Sequence, residues 1–198
     1  MAATPSNMLA LGTKAPDFKL LDTVSGKKLS YDDIKGEKGT VVMFICNHCP
    51  YVLHVNGEIV KIANEYLPKG IGFVAISSND VENYPQDAPE LMTEQAKKVG
   101  YPFPYLYDET QEVAKAYKAA CTPDFYVFDK DNRLVYRGRL DESTPKNNQP
   151  LTGKDLRKAL DFLLEGKIIP DNEQKPSIGC NIKWKEPPNI NLQKIEFK

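Results

Sequence analysis

Ten residues constrain this chain more than any others: Val41-Val-Met-Phe-Ile-Cys46-Asn-His-Cys49-Pro50. An apolar, β-favouring run ends in a Cys-x-x-Cys, and a helical pattern follows at once. From Pro50 onward Val52, Val55, Ile59, Ile62 and Tyr66 recur at steps of three and four, so one face of that helix is buried. Strand, dithiol and helix in that order suit thiol–disulfide exchange. Cysteines three apart at a helix start bring their Cα atoms within ~5–6 Å, the reach of a disulfide. Unpaired N–H groups at the helix start favour a thiolate. This predicts an exposed Cys46 with a lowered pKa as nucleophile, and a buried Cys49, one turn in, as the resolving thiol. The other reading of the motif is half of a zinc site. Such sites usually supply four ligands, often as a second close pair. Here Cys121 and Cys180 are isolated from each other and from both histidines, so no metal and no cofactor are expected.

At 198 residues the chain is long enough for one domain with a sizeable core. Its formal net charge is −1 and it has no basic block, which leaves a nucleic-acid partner without electrostatic support. No apolar run approaches the ~18–20 residues that cross a bilayer, so no membrane span is expected. Residues 1–10 lack both a charged n-region and a sustained apolar h-region, unlike a secretory signal. The expectation is a cytoplasmic protein. In that compartment a close cysteine pair is more often catalytic or metal-binding than structural.

Along the chain, Lys19 to Leu21 suggests a short edge strand, Ser25-Gly26-Lys27 a turn, and Leu29 to Ile34 a helical turn. Val41 to Ile45 has the length and continuous apolarity of a buried central strand. Leu67-Pro-Lys-Gly70 stops the helix after the dithiol, and Ile71 to Ser77 is the next strand. Asp87-Ala-Pro-Glu90 resembles a capping box ahead of a helix carrying Met92, Ala96 and Val99. The prolines of Tyr101 to Asp108 exclude helix. Thr110 is expected to cap a helix with Val113, Ala116 and Tyr117. Phe125 to Phe128 and Arg133 to Arg139 flank a turn as a hairpin. Thr152 is expected to cap a last helix with Leu156, Leu160 and Leu163 inward. Strands alternating with helices predict an α/β fold with a mostly parallel central sheet covered on both faces. A domain over 11–165 and a tail over 166–198 are expected, the tail packed on the domain through Ile182 and Trp184.

Two histidines bear on the chemistry. His48 lies between the cysteines and can donate to a thiolate or, when charged, stabilise it. Stabilising the reduced thiolate makes the disulfide form a stronger oxidant. The plainer alternative is a polar residue in an exposed dipeptide. His54 falls near the helix face opposite the buried stripe and is expected in solvent. Cys121-Thr122-Pro123 precedes a strand, and Cys121 is either an inert buried thiol or a thiol at the rim of the site. Cys180 stands alone in the tail. As single cysteines, Cys121 and Cys180 raise the possibility of a second thiol pair.

Gly12-x-x-Ala15-Pro16-Asp17-Phe18, the strand ending in Cys46-Asn-His-Cys49-Pro50, and Thr122-Pro123-Asp-Phe-Tyr-Val-Phe-Asp129 follow in that order. Together they resemble the redoxin branch of the thioredoxin superfamily, which holds alkyl hydroperoxide reductase-like and thiol-specific-antioxidant-like proteins and membrane-associated thiol reductases. The chain is most similar to bacterial thioredoxin-like redoxins with a Cys-Asn-His-Cys motif. The resemblance implies a thioredoxin fold, a central mixed β-sheet flanked by helices with an N-terminal β extension and an extended C-terminal tail, with Cys46 attacking, Cys49 resolving, and a cis Pro123 that with Thr122 turns backbone toward substrate. The partners it implies are a disulfide-containing protein and a reductant of unknown identity.

Two departures bear on function. Thioredoxins carry a buried aspartate about six residues before the first cysteine, and here that position is Thr40, with Glu37 the nearest acid. Peroxiredoxins use Pro-x-x-x-Thr-x-x-Cys. Counting back from Cys49 gives Cys46 and Val42 in those places, and from Cys46 gives Met43 and Gly39. A thiol–disulfide oxidoreductase is therefore the leading expectation, with a peroxiredoxin-like antioxidant as the alternative. A copper-delivery redoxin is a further alternative, but it needs a histidine in the C-terminal half, and both histidines precede residue 55.

Overall fold

A computed structural model describes residues 3–186. Its strands are β1 (Ala3–Pro5), β2 (Lys19–Asp22), β3 (Lys28–Ser30), β4 (Gly39–Phe44), β5 (Ile71–Ser77), β6 (Tyr105–Tyr107), β7 (Cys121–Thr122), β8 (Asp124–Asp129), β9 (Leu134–Gly138) and β10 (Ile178–Asn181). Its helices are α1 (Tyr31–Ile34), α2 (Pro50–Tyr66), α3 (Pro89–Val99), α4 (Glu112–Ala116) and α5 (Lys154–Leu164). The main sheet runs β3-β2-β6-β5-β4-β8-β9. Its centre, β6-β5-β4, is parallel, and the strands outside it are antiparallel. The sheet is thus more mixed than the alternation of strands and helices predicts, because the hairpin β8–β9 and the meander β2–β3 add antiparallel edges.

β4 and β5 are buried along their whole length, which explains their unbroken apolar sequences. Successive side chains point to opposite faces of the sheet. Val41, Met43 and Ile45 meet Ile59 and Ile62 of α2, Met92 of α3, and Leu156 and Leu160 of α5. Val42 and Phe44 meet Tyr31 of α1, Tyr117 of α4, and Tyr126 and Phe128 of β8. Val41 and Val42 therefore belong to different cores.

Three expected caps differ. Asp87 does not cap α3: the N-cap is Ala88, and Asp87 is turned inward with no exposure. Ahead of α4, the Asp108 carboxylate accepts from the Ala114 N–H at 2.9 Å, while Thr110 accepts only from Glu112, at 3.4 Å. At α5 the N-cap is Gly153, with φ +66°, and Asp141 accepts from the N–H groups of Thr152 and Gly153 at 2.7 and 2.6 Å. At α4 and α5 a carboxylate from the preceding loop takes the place of the expected hydroxyl, as fits the stronger hydrogen bonds of an ionised acceptor, while α3 starts with no side-chain cap.

After α5 the chain returns across the molecule. β10 pairs with both β1 and β7, forming a three-stranded ribbon in the order β1-β10-β7. The close pass of β10 over β7 requires Gly179, where a Cβ would collide with the Thr122 carbonyl. Ile182 anchors this segment at 1% exposure, but Trp184, expected to do the same, is 41% exposed. Hydrogen bonds replace it: the Lys183 N–H donates to Asn79 at 2.8 Å, and Gln111 donates to the Lys183 carbonyl at 2.8 Å. Residues 187–198 of the expected tail lie outside the described residues. Among the described residues no helix is long and apolar enough to cross a membrane.

Candidate active site

β4 delivers the dithiol to the start of α2, and the motif's geometry departs from the simplest expectation. Cys49 is itself the N-cap of α2, with Pro50 in the first turn. Cys46 lies three residues outside the helix. The partial positive charge of the helix start therefore falls nearer Cys49 than Cys46. Cys46 is also not exposed: it keeps 2% of its surface, and Cys49 none.

Cys46 is covered by the loop between β5 and α3. The Asn47 N–H donates to the Asp87 carboxylate at 2.8 Å, and the Asn47 side-chain amide donates to the Gln86 carbonyl at 3.0 Å. His48 Nδ1 pairs with the other Asp87 oxygen at 2.6 Å, and Asn79 donates to that same oxygen at 2.8 Å. Tyr84 stacks on the His48 ring, with centroids 5.8 Å apart, and the Lys183 ammonium lies 5.6 Å from the Tyr84 ring. From below, the Tyr105 hydroxyl donates to Asn47 at 3.1 Å. Asp87 thus supplies the buried acid that Thr40 does not. Asp87 fits a local capping pattern in sequence, while its partners Asn79, His48 and Asn47 lie 8, 39 and 40 residues away.

The opposite wall is the loop carrying Pro123. The Thr122–Pro123 peptide is cis, as expected. The Thr122 hydroxyl contacts the Cys46 sulfur at 3.5 Å, and the protonated Cys49 thiol donates to the Thr122 carbonyl at 3.2 Å. Beside Pro123 a cavity of 70 Å³ is lined in part by Tyr51, Val55, Ser177 and Ile178. A larger cleft of 630 Å³, lined by Leu21, Tyr107 and Val113 among others, contains none of the thiols.

The two thiols adjoin, and each shifts the other's titration. Cys49, burial and the facing Asp87 carboxylate hold the Cys46 proton well above the ordinary thiol range, with the Thr122 hydroxyl opposing them. Cys49 is lowered to about 5, chiefly by the neighbouring Cys46, with Cys180 and Thr122 adding to it against burial. The pair therefore loses its first proton far below the ~8.5 of a free thiol. The depression expected for Cys46 falls on Cys49 instead: Cys46 is raised by Cys49, burial and Asp87, and Cys49 is lowered chiefly by Cys46.

The remaining candidates separate clearly. His54 is half-buried rather than solvated, its Nε2 2.8 Å from the Ser143 hydroxyl. Cys121 and Cys180 do not face each other. The register sets Cys121 opposite Asn181 and Cys180 opposite Thr122, so the two thiols leave opposite faces of the ribbon. Cys121 contacts the carbonyls of Pro123 and Ser177, and burial pushes its pKa up. Cys46, His48 and Asp87 place one sulfur, one nitrogen and one oxygen within 4.8 Å of one another, a set that could meet a metal ion. The Asp87 oxygens are already taken by Asn47, Asn79 and His48, so the group is built first as a hydrogen-bond network.

The family model Redoxin matches residues 10–156. The chain belongs to the Redoxin family. It is 59% identical to an uncharacterized conserved protein from Geobacillus kaustophilus, whose crystal structure superposes with a TM-score of 0.92 over 94% of this chain and 98% of that one. A hypothetical protein from Sinorhizobium meliloti 1021 is 44% identical, with a TM-score of 0.90 over 93% of this chain and 100% of that one. Among curated proteins, "Thiol-disulfide oxidoreductase ResA" of Geobacillus thermodenitrificans is 27% identical over 135 residues, 66% of this redoxin and 70% of the relative. A putative thioredoxin from Neisseria meningitidis, 25% identical, superposes with a TM-score of 0.60 over 81% of this chain and 95% of its own. The fold is a thioredoxin fold, a mixed sheet flanked by helices, here extended by β1 and β10.

Proposed function

We propose that this redoxin is a thiol–disulfide oxidoreductase acting on disulfides of proteins, with Cys46 as nucleophile and Cys49 as resolving thiol. The observation that carries the reading is the buried Cys46–Cys49 pair facing the Thr122–Pro123 loop, with His48 and Asp87 beside it. At neutral pH the pair holds one proton and one negative charge. Moving that proton onto Cys49 leaves the charge on Cys46, which attacks a substrate sulfur. A mixed disulfide forms and the first substrate sulfur leaves as thiolate. Cys49 then gives up its proton and attacks the Cys46 sulfur, the second substrate sulfur leaves, and the Cys46–Cys49 disulfide closes. His48 carries protons to and from these sulfurs, and Asp87 fixes its ring by accepting from Nδ1–H, which makes Nε2 the accepting nitrogen. Because Cys46 is covered, substrate entry requires the segment around Tyr84 to Asp87 to draw back. An extended substrate segment then meets backbone at Thr122 and the cavity beside Pro123. The similarity to a relative named as a thiol-disulfide oxidoreductase, ResA, supports this chemistry.

The direct test is reduction of insulin disulfides with dithiothreitol as the reductant, followed by turbidity. Catalysis by wild type supports the reading, and a rate equal to that of dithiothreitol alone removes it. The role of His48 is tested separately. In His48→Ala the Asp87 carboxylate, still held by Asn47 and Asn79, loses the Nδ1–H it accepts from and faces Cys46 less compensated. Alkylation of Cys46 at pH 7 is expected to slow by about tenfold, the equivalent of one pKa unit. Adding Asp87→Asn to that variant is expected to restore most of the rate. An unchanged rate in His48→Ala makes the histidine a bystander.

A further inference from the structure

We propose that Cys180 is a third redox thiol of this site, which takes the disulfide over from Cys46 by attacking Cys49. The inference rests on the proposed Cys46–Cys49 disulfide chemistry and extends it.

Register is the first observation. β10 lies antiparallel to β7 with Cys180 opposite Thr122, and opposed residues in such a pair project to the same face. That face is the one on which Thr122 meets Cys46. Packing is the second. Cys46, Cys49 and Cys180 belong to one continuous cluster of buried residues, from which Cys121 is absent. β10 also packs against α2, the helix that Cys49 caps. The third observation is that Cys49 and Cys180 lie close enough to shift each other's titration, as Cys46 and Cys49 do. Cys49 is therefore the middle sulfur of three. Gly179 permits this arrangement, since any side chain there would push β10 off Thr122.

The transfer needs no external oxidant. Once Cys46 and Cys49 are joined, Cys180 loses its proton and its sulfur attacks Cys49. The Cys49–Cys180 bond forms as the Cys46–Cys49 bond breaks, and the electron pair of the broken bond leaves on Cys46. Cys46 then takes up the proton that Cys180 released. One disulfide and one thiol are present before and after, so the oxidation state of the protein is unchanged. The consequence is chemical. Oxidised protein in the second form still presents Cys46 as a free thiol, able to open a further substrate disulfide. In the reduced protein Cys180 keeps its proton, its pKa pushed up to about 12 by burial and by Cys49.

The test uses the full chain as wild type, Cys46→Ser and Cys180→Ser. Each is oxidised with diamide, quenched in acid, alkylated and mapped by peptide mass. In Cys46→Ser two of the three remaining thiols are expected to disappear together, with Cys49 linked to Cys180 and Cys121 alkylated. Oxidised wild type is expected to yield both the Cys46–Cys49 and the Cys49–Cys180 linked peptides, and Cys180→Ser only the first. The inference is overturned if Cys46→Ser keeps all its thiols under oxidation that closes Cys46–Cys49 in wild type. If Cys46→Ser does not fold, wild type alone decides: no Cys49–Cys180 peptide in its oxidised form refutes the transfer. A Cys180→Ser variant that still closes Cys46–Cys49 and reduces insulin leaves the proposed function standing whichever way the transfer falls. A wild type that closes no Cys46–Cys49 bond removes both.

Discussion

Cys46→Ser is expected to lower the rate of protein-disulfide reduction by at least about a thousandfold, since Cys46 makes the first bond to substrate. Cys49→Ser is expected to fail differently. Its Cys46 still attacks, but the mixed disulfide loses its resolving thiol, so covalent complexes with substrate proteins accumulate. They are seen on non-reducing gels and dissolve with dithiothreitol. Cys180 bears on Cys49 rather than on Cys46, so it does not replace Cys49 in that step. Cys46→Ser is expected to trap few such complexes. Equal trapping by the two variants would mean that the order of the thiols is wrong, and turnover in Cys46→Ser near the wild-type rate would mean that the dithiol is not the reacting group. The serine variants suit this test because each replaces a buried sulfur with a smaller atom in a core that keeps its other contacts.

What could be read without the structure divides along physical lines. Ile71 to Ser77 and the helix beginning at Pro50 were legible to the residue, because burial writes itself into sequence as a continuous apolar run or a three-and-four repeat. The place of the dithiol, between the apolar run Val41 to Ile45 and that helix, followed. The acid of the site did not. Asp87 obeys a local capping pattern, and only the fold shows that its oxygens are spent on Asn47, His48 and Asn79. The partner of Cys180 was hidden for a related reason. A single step of register decides which face a strand residue occupies, and no sequence pattern sets the register of a two-residue strand such as Cys121–Thr122. Trp184 illustrates the opposite error, in which a large aromatic side chain was taken as an anchor. The segment is held instead by main-chain hydrogen bonds at Lys183 and Lys185 to Asn79 and Gln111.

The same loop that orients Thr122 carries a buried carboxylate whose effect on stability is expected to be large. Asp124, next to Pro123, has no exposure. One of its oxygens accepts from the Ser6 and Tyr126 hydroxyls at 3.0 and 2.9 Å, and the other has no partner among the described residues. Burial outweighs those hydrogen bonds and raises its pKa from 3.8 to about 7. The folded protein therefore keeps this proton over a range in which the unfolded chain has released it. The contribution is fully present below the unfolded pKa, falls as pH rises from about 4, and is exhausted once pH passes the folded value near 7. A shift of about three units amounts to on the order of 4 kcal/mol between those limits. In Asp124→Asn the amide oxygen still accepts from Ser6 and Tyr126, and nothing titrates. Its new N–H groups cost about 1–3 kcal/mol if they find no acceptor, but that cost is the same at every pH. The readout is therefore the slope. Urea unfolding of wild type and Asp124→Asn, measured from pH 4 to pH 8, is expected to show the variant gaining on wild type steadily up to about pH 7 and in parallel beyond it. Curves parallel across the whole range would mean that Asp124 is ionised in the folded protein at pH 4, with its charge stabilised by the two hydroxyls.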